Sequence, residues 1–462
     1  MTEYRHIAVI DIGKTNAKLV VLNAADGREI ASRRTPNRVL YGPSYPHFDV
    51  EGLWRFILDG LWAFAEKPGY DAISITTHGA SAVLLDEGGA LALPVLDYEH
   101  AYPDAIVMDY NRLRPDFSQT LSPRLPGGLN LGAQLHYQSC CFAGDFARVS
   151  SILTYPQYWA FRLSGVMACE VTSLGCHTDL WCPGEGRFSG LVDRLGIRER
   201  LAPLRSAFDV LGPLRAELVR DIGLERPVPV YCGLHDSNAS LLPHLLRESP
   251  PFTVISTGTW IIAFAVGGKV QGLDEGRDTL ANVDAYGRAV PSARYMGGRE
   301  FELLTSGMMK PPEADIEAAA GDVIAKGAML LPNVVEGSGP IPGMASLWFD
   351  KPQTDAGYFA AVTLYAAMMT SLTLGLIGSE GKIVVEGPFA SNWLYLKALA
   401  ALSGRSIAVA SEAATSGTAE GAALLTGIPP TDLSQEFISP ESLDLLDYFR
   451  LFTTRLAQRT KL

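Results

Sequence analysis

The sequence predicts a two-domain α/β protein, and three observations carry that expectation. One hairpin with a glycine-containing tip opens the chain, a second hairpin of the same plan recurs past its midpoint, and a helix-period stretch with buried strands follows the first. Residues 7–22 (IAVIDIGKTNAKLVVL) run apolar, turn, apolar, and residues 253–266 (TVISTGTWIIAFAV) repeat that plan around Thr257, Gly258 and Thr259. Glycine at each tip permits a tight turn and close approach of a ligand to backbone N–H groups. Two such tips facing each other would grip a polyphosphate from both sides. Neither holds G-x-x-x-x-G-K-[ST], so the pattern is not a phosphate loop on a strand–helix junction.

The chain of 462 residues is too long for one ordinary core, and two domains of roughly 200 residues each are expected. The boundary falls ahead of the second hairpin, giving domains over 1–245 and 246–462. Within the first, residues 28–36 add a third antiparallel strand. Leu53, Phe56, Ile57, Leu61, Phe64 and Ala65 recur at helical spacing between residues 49 and 66. Residues 73–76 and 82–86 then read as short buried strands. A β-β-β-α-β order does not suit a dinucleotide fold, which needs a parallel β-α-β unit from the start. It fits the ribonuclease H-like domain shared by actin, hexokinase and the sugar kinases.

Further along, residues 150–165 (SSILTYPQYWAFRLSG) read as an aromatic-rich helix, lying either in the core or along a substrate cleft. A strand over 228–232 leads into Gly233-Leu234-His235-Asp236 and a following helix. Residues 357–378 form a long apolar helix whose Met and Leu content marks core. Residues 382–404 read as strand, turn and helix, and 435–462 as a solvated closing helix.

Composition narrows the function. A hydrophobic fraction of 47% and a charged fraction of 19% describe a packed globular chain. The net charge of −12 speaks against nucleic acid or an anionic membrane as partner. The start, MTEYRHIAVID, lacks the layout of a signal peptide, and no apolar run is taken to reach about 18 residues, so no membrane span is expected. Six cysteines show neither a C-x-x-C pair nor zinc-ligand spacing, as in reduced cytoplasmic enzymes.

With these pieces in order, the chain resembles the FGGY carbohydrate kinases over essentially its whole length. The resemblance rests on Asp11-Ile-Gly-Lys-Thr-Asn-Ala-Lys18, Gly233-Leu-His-Asp236, Ser256-Thr-Gly-Thr-Trp260, Leu331-Pro-Asn ahead of EGSGPIPG, and Glu386-Gly-Pro-Phe-Ala-Ser-Asn392. Met296-Gly-Gly-Arg-Glu-Phe301 and the His-Asp pair are most similar to the rhamnulokinase and fuculokinase branch. The resemblance implies two actin-like domains flanking a deep cleft. It also implies ATP-dependent transfer of a γ-phosphate to a primary hydroxyl of a ketose, with Mg²⁺. A 6-deoxy-ketohexose such as L-rhamnulose or L-fuculose leads; a pentulose or polyol, or a silent nucleotide-binding regulator, is the alternative. A homodimer is left open.

It implies roles residue by residue. Asp236 is the base for the acceptor hydroxyl, or else the N-cap of the helix starting at Ser237. His235 binds sugar hydroxyls. Asp11 holds Mg²⁺, through water. Gly13, Lys14, Thr15, Asn16 and Lys18 contact the β- and γ-phosphates, although both lysines could be solvated hairpin charges. Thr257, Gly258 and Thr259 form the opposing clamp. Gly387 and Asn392 receive adenine and ribose, unless that turn is an ordinary capped helix start. On the sugar side stand His78, Gly79, Glu99 and Arg294. Here the chain departs from the family pattern: residues 96–101 read LDYEHA, with Glu99 where Asp is usual and Ala101 where Arg is usual.

Overall fold

The structure is a computed structural model and describes residues 4–410, 417–431, 435–440 and 443–459. They form two compact units, one from the described residues of Met1–Glu248, Ala281–Ala289 and Ala413–Asp432, the other from those of Ser249–Leu280, Val290–Glu412 and Leu433–Leu462.

In the first unit, β1 (His6–Ile12), β2 (Asn16–Asn23) and β3 (Glu29–Pro36) form an antiparallel meander. Strand Ala72–Thr77 then pairs parallel with β1, strand Pro229–Tyr231 parallel with Ala72–Thr77, and Val210–Pro213 antiparallel at the far edge. Side chains alternate across such a sheet, so its two faces bury different sets. Ala8, Ile10, Leu19 and Val21 face one core together with Leu53, Ile57 and Leu61 of α1 (Val50–Ala65). Ile7, Val9, Val20 and Leu22 face another, with Ala239 and Leu242 of helix Asp236–Arg247 and Ala419 and Ala422 of helix Gly417–Leu424. Helix α1 starts where Asp49 accepts a hydrogen bond from Gly52 N, a side-chain cap.

The second unit repeats this order. Phe252–Thr257, Ile261–Val266 and Ala289–Tyr295 form the meander, Lys382–Glu386 pairs parallel with the first of them, Ile407–Ala410 parallel with that, and Gln435–Ile438 closes antiparallel. The fold is thus two mixed α/β sheets of actin and hexokinase type, as the hairpin repeat predicts.

Four elements depart from the sequence reading. Residues 150–165 are not one helix: Ser151–Thr154 is a strand paired with Ala82–Leu85, and the helix is Tyr155–Ser164, because Pro156 suits only its first turn. The closing segment is not a solvated helix alone. Its first part is the strand Gln435–Ile438, and its helix, Leu446–Arg459, buries Tyr448, Phe452 and Leu456 at i, i+4, i+8 spacing. The helix after His235 begins at Asp236, not Ser237. Finally, helix Asp355–Leu376 is long and apolar enough to cross a membrane by length and composition. Its Thr and Gly residues break the run to the eye but not its average. In the structure 78% of its apolar window is buried, against Leu394, Tyr395 and Leu399 among others in the second unit's core.

Candidate active site

The parallel pairing in the first unit brings three chain segments to one sheet edge. Ile12 of β1 pairs with Thr77, and Thr77 also pairs with His235 of the short strand Leu234–His235. The residues that follow, Gly13 to Thr15, His78 to Gly79 and Asp236, therefore emerge side by side at the carboxyl ends of the strands, where ligands bind in open α/β sheets.

Asp236 is the first residue of its helix, and its Oδ1 accepts from Ser237 N at 2.6 Å. Its side chain keeps 30% of its surface open. The protein around the remainder raises its pKa by desolvation, against opposing contributions from His78 and Ser237. His235 Nε2 lies 3.2 Å from Asp236 Oδ1, and burial pushes the pKa of His235 down to about 4. A neutral imidazole that donates from Nε2 leaves Nδ1 as an acceptor, and Nδ1 is buried without a hydrogen-bond partner. Gly79 makes room for this ring: a Cβ there would sit 2.6 Å from His235 Nε2.

Asp11 stands on the next strand. Burial, opposed by a 2.9 Å hydrogen bond from Thr418 Oγ1 to its Oδ2, lifts its pKa to about 6, with Asp236 adding to the rise and Lys18 opposing it. Two carboxylates within electrostatic reach, both disfavoured as anions, make a place that a cation would relieve. Lys18 pairs across the hairpin with Asp11 in register, but its ammonium is held by Glu29. The tip itself is a closed turn, with Gly13 N donating to Asn16 O at 2.8 Å and Asn16 Nδ2 to Thr15 Oγ1 at 3.1 Å.

Lys14 turns elsewhere. Its Nζ pairs with Asp97, lies 3.4 Å from Glu99 Oε2, and sits over the rings of Phe48 (4.9 Å) and Tyr98 (4.7 Å). Both rings also flank His78, at 4.9 and 5.5 Å between centroids, and Tyr155 lies 4.8 Å from it on another side. His78 is buried, which pushes its pKa down to about 4. Its Nδ1 lies 2.8 Å from the Gly79 carbonyl, an acceptor only, so Nδ1 carries the proton and Nε2 is a bare acceptor. That Nε2 is buried without a hydrogen-bond partner.

In the second unit, Ser256 pairs in parallel with Glu386, so Thr257 and Gly387 emerge together. Thr257 Oγ1 donates to Glu386 O at 2.5 Å and accepts from Phe389 N at 3.0 Å, which ties the two turns to each other. Gly387 has φ +83°, and a Cβ there would collide with the Thr257 carbonyl. Gly258 and Thr259 form an exposed tip. Gly298, in the first turn of helix Gly297–Thr305, packs so closely on that tip that a Cβ would strike the Gly258 carbonyl. Asn392 caps helix Trp393–Ser403 by accepting from Tyr395 N at 3.1 Å. Arg294 lies 4.8 Å over the Trp260 ring and 3.3 Å from Asp278 Oδ1.

Comparison with known proteins decides what this geometry belongs to. Residues 249–435 match the model of the carbohydrate kinase FGGY C-terminal domain. The solved structure of a carbohydrate kinase from Novosphingobium aromaticivorans superimposes with a TM-score of 0.91 at 38% identity, covering 97% of this chain and 99% of that one. The chain belongs to the FGGY carbohydrate kinases. An L-fuculokinase from Salmonella typhi is 24% identical over 279 residues, 57% of either chain. A rhamnulokinase from Pectobacterium carotovorum subsp. carotovorum is 24% identical over 266 residues, 55% of this chain and 52% of its own. The chain thus spans little more than half the length of these curated relatives.

Several of the residues expected from the sequence come together in the first unit. Asp11, Gly13, His78, Gly79, His235 and Asp236 gather at one edge. Lys14 and Glu99 gather at the aromatic patch beside it, and Ala101 is exposed. Arg294 lies beside the Thr257–Trp260 turn of the second unit. Sequence reasoning missed Asp97, which holds Lys14, the aromatic wall of Phe48, Tyr98 and Tyr155, and Thr418, which binds Asp11. The Thr-Ala-Glu-Gly-Ala-Ala run at 418–423, small residues at helical spacing, was the available signal for a helix in close contact.

Proposed function

We propose that this chain transfers the γ-phosphate of ATP to a primary hydroxyl of a ketose. A 6-deoxy-ketohexose such as L-rhamnulose or L-fuculose is the leading acceptor, in line with the names of the relatives above. The observation that carries the reading is Asp236: a carboxylate of raised pKa, oriented by His235 and Ser237, at the edge where the first hairpin also ends. Its desolvation makes it a stronger base than a solvated carboxylate.

In the proposed reaction the acceptor hydroxyl gives its proton to Asp236 as its oxygen bonds to the γ-phosphorus, and the bond from phosphorus to the β–γ bridging oxygen breaks to leave ADP. The buried acceptors His78 Nε2 and His235 Nδ1 accept hydrogen bonds from other sugar hydroxyls and so fix the angle of approach. Backbone N–H groups of the Gly258 tip and the Thr259 hydroxyl bind phosphate oxygens, and the turn at Gly387 and Asn392 takes the nucleoside. Asp11, with Asp236 close by, fits Mg²⁺, since its buried charge lacks a strong counter-ion. The ion would supply neutralisation of the phosphate oxygens. An ATP-dependent reaction of this kind would suit the cytoplasm, where its nucleotide is supplied.

The test is a panel of L-fuculose, L-rhamnulose, L-xylulose, D-xylulose and glycerol with coupled detection of ADP. Turnover on a 6-deoxy-ketohexose at least about tenfold above the pentuloses is expected. Preference for a pentulose or glycerol would overturn the acceptor, and ADP release from none of them would overturn the transfer.

A further inference from the structure

The ammonium of Lys14 belongs to a patch that the proposed chemistry has not used. Lys14 follows the glycine of the first hairpin, where a cation reads as a phosphate ligand, yet its Nζ is held by Asp97, whose side chain is only 10% exposed. Two ring faces flank the same Nζ, and the negative face of an aromatic ring favours a cation. The side chain is itself only 19% exposed, so the ammonium is fixed rather than sampling solvent. An ammonium carries three donors. Asp97 takes one and Glu99 stands near a second, which leaves a donor for a ligand oxygen.

A second, independent feature points at the same place. His78 Nε2 is a buried acceptor without a hydrogen-bond partner, and its ring shares Phe48 and Tyr98 with Lys14. Leaving such an atom unpaired is unfavourable, so it calls for a donor from outside. A cationic donor and a neutral acceptor on one aromatic wall match two neighbouring hydroxyls, one accepting and one donating. They do not match a phosphate group, which at neutral pH has no proton to give His78 and would be repelled by Asp97 and Glu99.

We propose that Lys14 is a specificity-determining residue of the acceptor pocket, donating to one hydroxyl of a vicinal pair whose other hydroxyl donates to His78 Nε2. The proposal rests on the kinase reading only for the name of the acceptor. Asp97 then has two tasks: it holds Lys14 in place and, with Glu99, repels anionic ligands, which restricts the pocket to neutral polyols and ketoses.

Calorimetric titration of the nucleotide-free protein with L-fuculose, L-rhamnulose and L-xylulose, beside ADP titration, tests this directly. For Lys14→Met, a loss of at least about tenfold in affinity for the best ketose is expected, with ADP affinity within about twofold. Because Met leaves Asp97 buried without its partner, the double variant Lys14→Met/Asp97→Asn serves where the single one does not fold, and it should show the same split. Weakened ADP binding with unchanged ketose binding would assign Lys14 to phosphate and overturn the proposal. So would failure of all three sugars to bind the unsubstituted protein. Sugar binding lost in the variant, but without phosphoryl transfer in the unsubstituted protein, would overturn the kinase reading and uphold Lys14.

Discussion

His235 presents Nε2 to Asp236 Oδ1 at 3.2 Å, in space that exists because residue 79 has no side chain. The relationship makes Gly79 a shaping residue for the proposed base. Gly79→Ala should push the imidazole away, leave Asp236 held by Ser237 alone, and lower kcat by about 10-fold or more. Circular dichroism should show a folded protein, since Gly79 lies in a turn past the end of strand Ala72–Thr77. Unchanged turnover would mean that His235 does not orient Asp236.

Asp236→Asn keeps the shape and the acceptor for Ser237 N but not the basicity. A fall in kcat of about 10²-fold, with ADP affinity retained, is the expected result. Near-normal turnover on the best ketose would move the base elsewhere.

Asp11 gives a prediction in pH. Its folded pKa of about 6 lies above the ordinary aspartate value of 3.8, so the folded chain holds this proton more tightly than the unfolded one. Stability attached to this group is therefore full at low pH and declines as pH rises from about 4 to 6, a penalty of at most about 3 kcal/mol above that window. Asp11→Asn removes the penalty. It should melt a few degrees higher than the unsubstituted protein at pH 7.5 and no higher at pH 4, while activity is lost. A Tm difference independent of pH would show that the carboxylate is not desolvated.

The two threonines that flank Gly258 in the second hairpin should separate. Thr257 is buried, and its hydroxyl bonds Glu386 O and Phe389 N, so Thr257→Val should cost about 1–3 kcal/mol of stability through unpaired backbone groups. Thr259 is exposed, so Thr259→Val should leave Tm unchanged and raise the KM for ATP several-fold. Denaturant melts and kinetics on both variants read this; equal stability would contradict the tie.

Much of this was legible where the signal is local. The hairpins show as two short apolar runs on either side of a glycine turn, at 7–22 and 253–266, and the Gly233-Leu-His-Asp236 turn shows as a strand end followed by a helix. Lys14 shows why local reading stops short. Beside Gly13 it reads as a phosphate contact, while its partner Asp97 is 83 residues away and its wall is made of Tyr98 beside that partner and Phe48 from a further segment. Thr257 reads as a ligand because hydroxyls near a glycine turn invite it, yet its partners come from a parallel strand more than a hundred residues on. Period and turn chemistry report neighbours in the chain; a site at the ends of parallel strands is made by residues that are not.

Thr418 reaches Asp11 from 407 residues further along the chain, and Gly421 on the same helix packs so closely that a Cβ would strike the Ala239 carbonyl. The first unit is therefore incomplete until residues 417–424 have been made. While the ribosome is still making residues 249–410, the face carrying Ile7, Val9, Val20 and Leu22 has no Ala419 or Ala422 against it, and the proposed cation site lacks its threonine. Contacts of such separation slow folding and leave apolar surface open meanwhile. A fragment cut at Glu248 should expose that face and aggregate. The chain's two sheets look alike, but its first half is not a module that can be borrowed.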